Sequence, residues 1–196
     1  MDITYTSAIA EVIGKLEAGN PLPTLVPQKA WSRELTDTLE AASLDDLFQG
    51  ESLKNTTFAE AIKSGLLLWN DALDESHTIS QGLMNQTGSY WHGIMHRREP
   101  DYPNSKYWFG RVGTHPIFPV LRERALELFN ETANPSDALT DIGQAISAQE
   151  NWDSYQFVDW CQAAEGDSDS DVTDFLQQVQ AEEIKLLLAY SYRNAI

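Results

Sequence analysis

Apolar side chains along this chain recur at steps of three and four, and no stretch alternates apolar with polar residues, so the pattern predicts helices throughout and no strands. Thr4 to Ala18 carries Ile9, Val12, Ile13 and Leu16 on one face and is ended by Gly19-Asn20. Pro21, Pro23 and Pro27 then hold an extended connector, because proline removes a backbone donor and restrains the residue before it. Lys29 to Ala42 places Trp31, Leu35 and Leu39 four residues apart, and Ser43 to Phe48 reads as a turn. Thr57 with Glu60 has the spacing of a capping box. From there a long helix shows Phe58, Ile62, Leu66, Trp69 and Leu73 on its apolar face, with a polar stripe running on to Gln81. Gly65 inside it weakens the local helix propensity.

Asn85 to Gly88 breaks the pattern, and Trp91 to Arg98 resumes it. Pro100 and Pro103 predict a bend, Lys106 to Val112 a short helix closed by Gly113, and His115-Pro116 with Pro119 a second bend. Leu121 to Phe129, Ser136 to Ala148 behind the Asn134-Pro135 start signal, Trp152 to Ala164 and Val172 to Arg193 complete the set. The expected fold is all-α: a single-domain multi-helix bundle over 1–196, irregular around its centre, with the helices of 4–48 packing as an appendage.

Composition narrows the function classes. With 42% hydrophobic residues in 196, the chain has material for a sizeable core. Its longest apolar runs fall far short of the roughly 18 to 20 residues that a membrane helix needs. The start Met1-Asp2-Ile3-Thr4 lacks the basic and apolar regions of a signal peptide, and one cysteine, Cys161, allows no internal disulfide; the expected location is cytoplasmic. A net charge of −17 argues against nucleic-acid binding, which draws on phosphate neutralisation. The acidity is uneven, however. Tyr90 to Arg124 holds six basic residues against three acidic ones, a cationic segment suited to a small anionic ligand or to pairing with acidic helices.

That segment overlaps the stretch Trp69 to His115, which contains all four histidines. If the long helix persists, Asn70, Asp74, His77 and Gln81 line one stripe; Ser89, His92, His96 and Glu99 line another on the next helix. Two antiparallel helices would face these stripes together. His77, His92, His96, Asp74 and Glu99 would then offer imidazole and carboxylate ligands for zinc, iron or manganese, and His77, His92, His96 and Asp74 would equally serve metal-free acid–base catalysis. Ring nitrogens within about 4 to 5 Å of one another would favour the metal, and wider spacing around a cleft the metal-free pocket. Beside these stand plainer readings, such as His77 paired with Asp74 and the other rings held in the core. Arg97, Arg98, Lys106 and Arg111 form a candidate phosphate or carboxylate grip, and Tyr90, Trp91, Tyr107 and Trp108 a wall on which a flat ligand stacks. Asp167, Asp169 and Asp171 begin like a calcium loop, but Val172 and Gln178 stand where its glycine and glutamate belong, so the run reads as a linker capping the last helix. Cys161 and Ser76 lack the surroundings of nucleophiles.

The runs Leu73 to Gln81 and Gly88 to Tyr102, continued by Asn104, Lys106 to Phe109, Arg111, Gly113 and His115-Pro116, resemble a family of uncharacterised small soluble proteins. The resemblance covers about the middle quarter of the chain and implies no activity, cofactor or ligand. The leading expectation from the residues is a polar, aromatic-walled pocket for a small anionic molecule, with His and carboxylate chemistry. The alternatives are a metal-dependent hydrolase or redox protein, and an interaction module presenting Trp91, Tyr107 and Trp108 to an acidic partner.

Overall fold

The computed structural model describes residues 3–167 and 170–196. Among them are eleven helices and no strand: α1 (Ser7–Gly19), α2 (Arg33–Ala41), α3 (Leu44–Leu47), α4 (Thr56–Trp69), α5 (Leu73–Ser80), α6 (Gln86–Arg98), α7 (Tyr102–Val112), α8 (Phe118–Glu131), α9 (Asp137–Ala148), α10 (Ser154–Ala163) and α11 (Asp171–Ala195). The fold is all-α. Helix ends differ from the periodicity for local reasons. Asn55, not Thr57, caps α4, its side chain accepting from the Thr57 amide. Ser43 and Asp46 close a capping box that turns the expected turn into one short helix, α3. Pro103 and Pro119 sit in the first turns of α7 and α8, where a missing amide hydrogen costs nothing, so both helices begin earlier than the prolines suggested. Ser170 caps α11; Asp169, in the run first compared with a calcium loop, lies outside the described residues, as do Met1 and Asp2 at the N-terminus.

The largest correction is that no helix runs from Thr57 to Gln81. The chain breaks after Trp69, and Asp71 takes a left-handed backbone conformation with φ of 61°. Asn70 belongs to no stripe: its amide donates to the Ser32 carbonyl and the Thr36 hydroxyl, each at 2.9 Å, and its side-chain oxygen accepts from the Ser32 amide. It ties the start of α2 to the end of α4. After the break α5 folds back along α4, where Ser64 Oγ donates to the Ser76 carbonyl at 3.1 Å.

At the centre lies α6, buried at every position but its first. α4, α5, α7 and α11 surround it. The long helices α4 and α11 run antiparallel, with Phe58 near the start of one against Tyr190 near the end of the other. They meet α6 at Gly65, where an added Cβ would lie 2.6 Å from Trp91 and 2.9 Å from Leu188, so the residue that weakens helix propensity is what admits the Trp91 ring. On the other side Gly93 of α6 admits Phe109 of α7, and Ser105 Oγ donates to the Gly93 carbonyl at 2.7 Å. Ile9, Val12, Leu16, Leu35, Leu39 and Leu47 from the first three helices join the same continuous core. Among the described residues no helix is long and apolar enough to cross a membrane.

A helix buried on all sides is normally apolar, but α6 is not, and each of its polar groups needs a partner. Arg97 donates to Glu183 at 2.6 Å, with Phe157 under its guanidinium at 4.4 Å, and Glu183 also accepts from the Tyr90 hydroxyl at 2.9 Å. Arg97 is 1% and Glu183 0% exposed, so removing one partner would leave an uncompensated charge in the core. We expect Glu183→Ala to lower the unfolding free energy by about 3 to 5 kcal/mol. The apolar double substitution Arg97→Met with Glu183→Leu should cost less than that single change. Urea unfolding of the three proteins checks the ordering, and a Glu183→Ala protein as stable as the parent would contradict it.

Candidate metal centre

α5 and α6 are joined by a tight connection and pack side by side, which sets His77 against His92 and His96. One ring nitrogen from each of the three comes within 4.8 Å of the others. The ring centroids stand 4.8 Å (His77 to His92), 5.2 Å (His77 to His96) and 4.7 Å (His92 to His96) apart. Nitrogens sharing one zinc at the usual bond length of about 2.0 to 2.1 Å would be roughly 3.3 Å apart. Side-chain rotations that bring the nitrogens closer by at most roughly 1.5 Å would close that gap. His77, half-buried, forms the outer corner; His92 and His96 are 3% and 5% exposed.

The two inner rings differ in what holds them. His96 Nδ1 lies 3.1 Å from the Glu99 carboxylate, and the Asn104 side-chain amide lies 3.1 Å from its Nε2. His92 is stacked between Trp108, at 4.0 Å and 20° between planes, and His96, at 19°. Neither His92 nitrogen has a hydrogen-bond partner, although both are buried. Burial first, and then the adjacent His96 and His77, pull the His92 pKa down to about 3. Burial likewise lowers that of His96, against the opposing pull of Glu99. Both inner imidazoles are thereby kept neutral, which is the form that binds a metal.

The carboxylates proposed as ligands do not join the three rings. Asp74 sits in the first turn of α5, exposed, on the rim of a cleft; among the described residues the metal-ligand cluster contains imidazoles only. Glu99 caps α6 and is engaged with His96 Nδ1, one bond further from the cluster than a ligand would be.

The four cations expected to grip an anion are not brought together. Arg97 points towards α11 and Glu183, as described above. Arg98, the next residue and so rotated about the helix, donates to the Asp71 carboxylate and the Leu68 carbonyl, and to the Thr24 carbonyl at 3.0 Å. Lys106 pairs with Asp159 on α10 at 2.5 Å, and Arg111 lies over Trp108 at 5.3 Å. The aromatic wall is divided as well. Tyr90 and Trp91 are wholly buried, Trp91 donating to Ser191 at 3.3 Å, whereas Tyr107 is 57% exposed and Trp108 packs on His92. The rings therefore form neither one pocket wall nor one exposed patch. Two residues of the site had no role assigned from the sequence: Asn104, and Trp108 as the ring stacked on His92. The signal was their spacing, since Asn104, Trp108 and Arg111 fall on one face of α7.

A cleft of about 570 Å³ lies next to the cluster, with Lys29, Arg33, Asp74, Glu75 and Glu99, but none of the three histidines, among its walls. Glu99 is thus shared between the cleft and His96. His115, the fourth histidine, lies apart from the cluster. Its Nε2 is 3.2 Å from the Thr87 hydroxyl, its Nδ1 accepts weakly from the Ile117 amide at 3.4 Å, and Tyr90 and Tyr190 meet its ring edge to face.

No family model, curated protein or solved structure matches the chain.

Burial drops the His115 pKa from 6.5 to about 4. The unfolded chain then binds a proton that the folded one refuses, so this contribution is complete above pH 6.5 and is lost as pH falls towards 4. We expect the metal-free protein to lose on the order of 2 to 3 kcal/mol through this group over that window. Urea unfolding across the pH range should show a shallower dependence for His115→Gln; the same slope in both proteins would refute the assignment.

Proposed function

We propose that the chain is a metalloprotein in which His77, His92 and His96 hold one divalent transition-metal ion, zinc in the first instance, for hydrolytic chemistry. The observation that carries this reading is His92. A buried imidazole with both nitrogens unpartnered forgoes hydrogen bonds whose absence costs about 1 to 3 kcal/mol for each polar group left so. A bound ion would remove that cost at one nitrogen. The donor set fits as well: three neutral imidazoles suit zinc, copper, nickel and iron, and suit manganese and magnesium, which prefer oxygen, less well.

Three protein ligands, with no fourth among the described residues, resemble the open zinc sites of catalysis more than the closed four-ligand sites of structural zinc. Held by neutral ligands, a bound ion would keep its full double charge and would supply Lewis acidity, enough to lower the pKa of a bound water to about 7. The protein's own share is positional. Glu99 fixes the tautomer of His96, and Trp108 holds the His92 ring flat. Arg97 and Arg98, locked on either side of α6, keep both histidines from turning away. The cleft beside Glu99 is the natural approach for a substrate, and its mixed lining of Lys29, Arg33, Asp74 and Glu75 suits one that carries both signs of charge.

Protein prepared without an affinity tag, stripped with chelator and dialysed against zinc is expected to retain close to one ion per chain by elemental analysis. His92→Ala should bind at least 100-fold more weakly, while Asp74→Ala binds like the parent. Uptake that is absent, or equal in the parent and His92→Ala, would sink the proposal.

A further inference from the structure

We infer that Asn104 is a positioning residue for the non-protein ligand of the centre: its side-chain amide donates to whatever anion or water takes the open coordination position. The inference rests on the three-histidine reading and follows from how His96 is held. A carboxylate only accepts, so the Glu99 contact at 3.1 Å assigns the His96 proton to Nδ1. Nε2 is left with a lone pair, and the Asn104 amide nitrogen, a donor, stands 3.1 Å from Nε2 and 3.4 Å from Nδ1, which places it beside the ring and off the axis of that lone pair. An ion on that lone pair at the usual bond length of about 2.0 to 2.1 Å would leave the amide in place, roughly 3.5 Å from the metal.

The amide is also confined to that place. The Asn104 backbone amide is held by the Asp101 carboxylate at 3.3 Å, in the first turn of α7. The next residue, Ser105, is bonded to Gly93 of α6 at 2.7 Å, so the backbone is pinned to the helix that carries His92 and His96. One turn further on, Trp108 covers His92 and shuts that direction. An amide held there remains beside the ion with its N–H groups available to a further ligand. A donor held there is matched to an oxygen or nitrogen ligand bearing negative charge, as in oxyanion-type stabilisation. The class of exogenous ligand is thus a small anion, or a substrate that becomes anionic at the reacting atom.

The test uses the full chain loaded with cobalt(II), whose visible absorption reports its ligands, and titrated with azide. We expect azide to alter the spectrum of the parent protein, and Asn104→Ala to bind azide roughly ten-fold more weakly, the worth of one hydrogen bond to a charged partner. Cobalt affinity in that variant should be unchanged, because the amide does not occupy the Nε2 lone pair. Asn104→Asp, which offers an acceptor and a charge instead of a donor, should keep cobalt and bind azide more weakly still. Equal azide affinity in parent and Asn104→Ala overturns the inference, as does loss of cobalt from Asn104→Ala, which would make the residue a support for the ligands. Failure of the parent itself to take up cobalt overturns the three-histidine reading and this inference with it, an outcome distinct from the other two.

Discussion

The arrangement of this molecule depends on a guanidinium placed where a helix ends. Arg98 is entirely buried and donates to the Leu68 carbonyl in the last turn of α4, to the Thr24 carbonyl and to the Asp71 carboxylate. The end of a helix leaves carbonyls without partners and carries a partial negative charge, so a cation there answers both needs. Burial first, and then the neighbouring Arg97 charge, pull the Arg98 pKa down, and Asp71 offsets part of that. In return the chain must turn sharply at Asp71, in a left-handed conformation that a non-glycine residue adopts only under constraint. That turn sends α5 back across α6. It brings His77 over His92 and His96.

Arg97 performs the opposite half of the same task. Adjacent residues on a helix point about 100° apart, so two neighbouring arginines can anchor α6 to different elements: Arg98 to the α4–α5 turn and Arg97 to Glu183 on α11. The rotation of α6 about its axis is then fixed by two buried ion pairs, and the face left over, with His92 and His96 four residues apart, is presented to α5 and α7. Gly65 and Gly93 set the distances, since each lets a ring close against the backbone where a side chain would hold the helices apart.

Much of this was legible in the sequence, and the parts that were not share a physical cause. The helices follow from three-and-four periodicity because that signal lies within each segment: Ile9, Val12 and Leu16 are buried as their spacing required. His92 and His96 on one face followed from the same arithmetic. The break at Asn70 and Asp71 did not, because the hydrophobic pattern continues through it; what breaks the helix is a side-chain grip on α2 and an arginine 27 residues away. Arg97 and Arg98 were read as an anion grip for the same reason. A guanidinium selects any carboxylate geometry that suits it, and Glu183 and Asp71 cannot be chosen over other acidic residues without the fold. Asn104 fell in the bend expected before Lys106, and only the antiparallel packing of α7 on α6 sets it against His96.

The three histidines also ride on supports of very different firmness. α6 has no solvent face and is clasped by α4, α5, α7 and α11, so its backbone can open only when the whole domain does. α5 is eight residues long, and its buried positions are Ser76 and Ser80 alone. The cluster is therefore built like a jaw with one fixed side and one hinged side, and separation of its rings is a matter of local opening at α5. Exchange of anything held between them would proceed at the rate at which that short helix lifts, without waiting for the core to unfold.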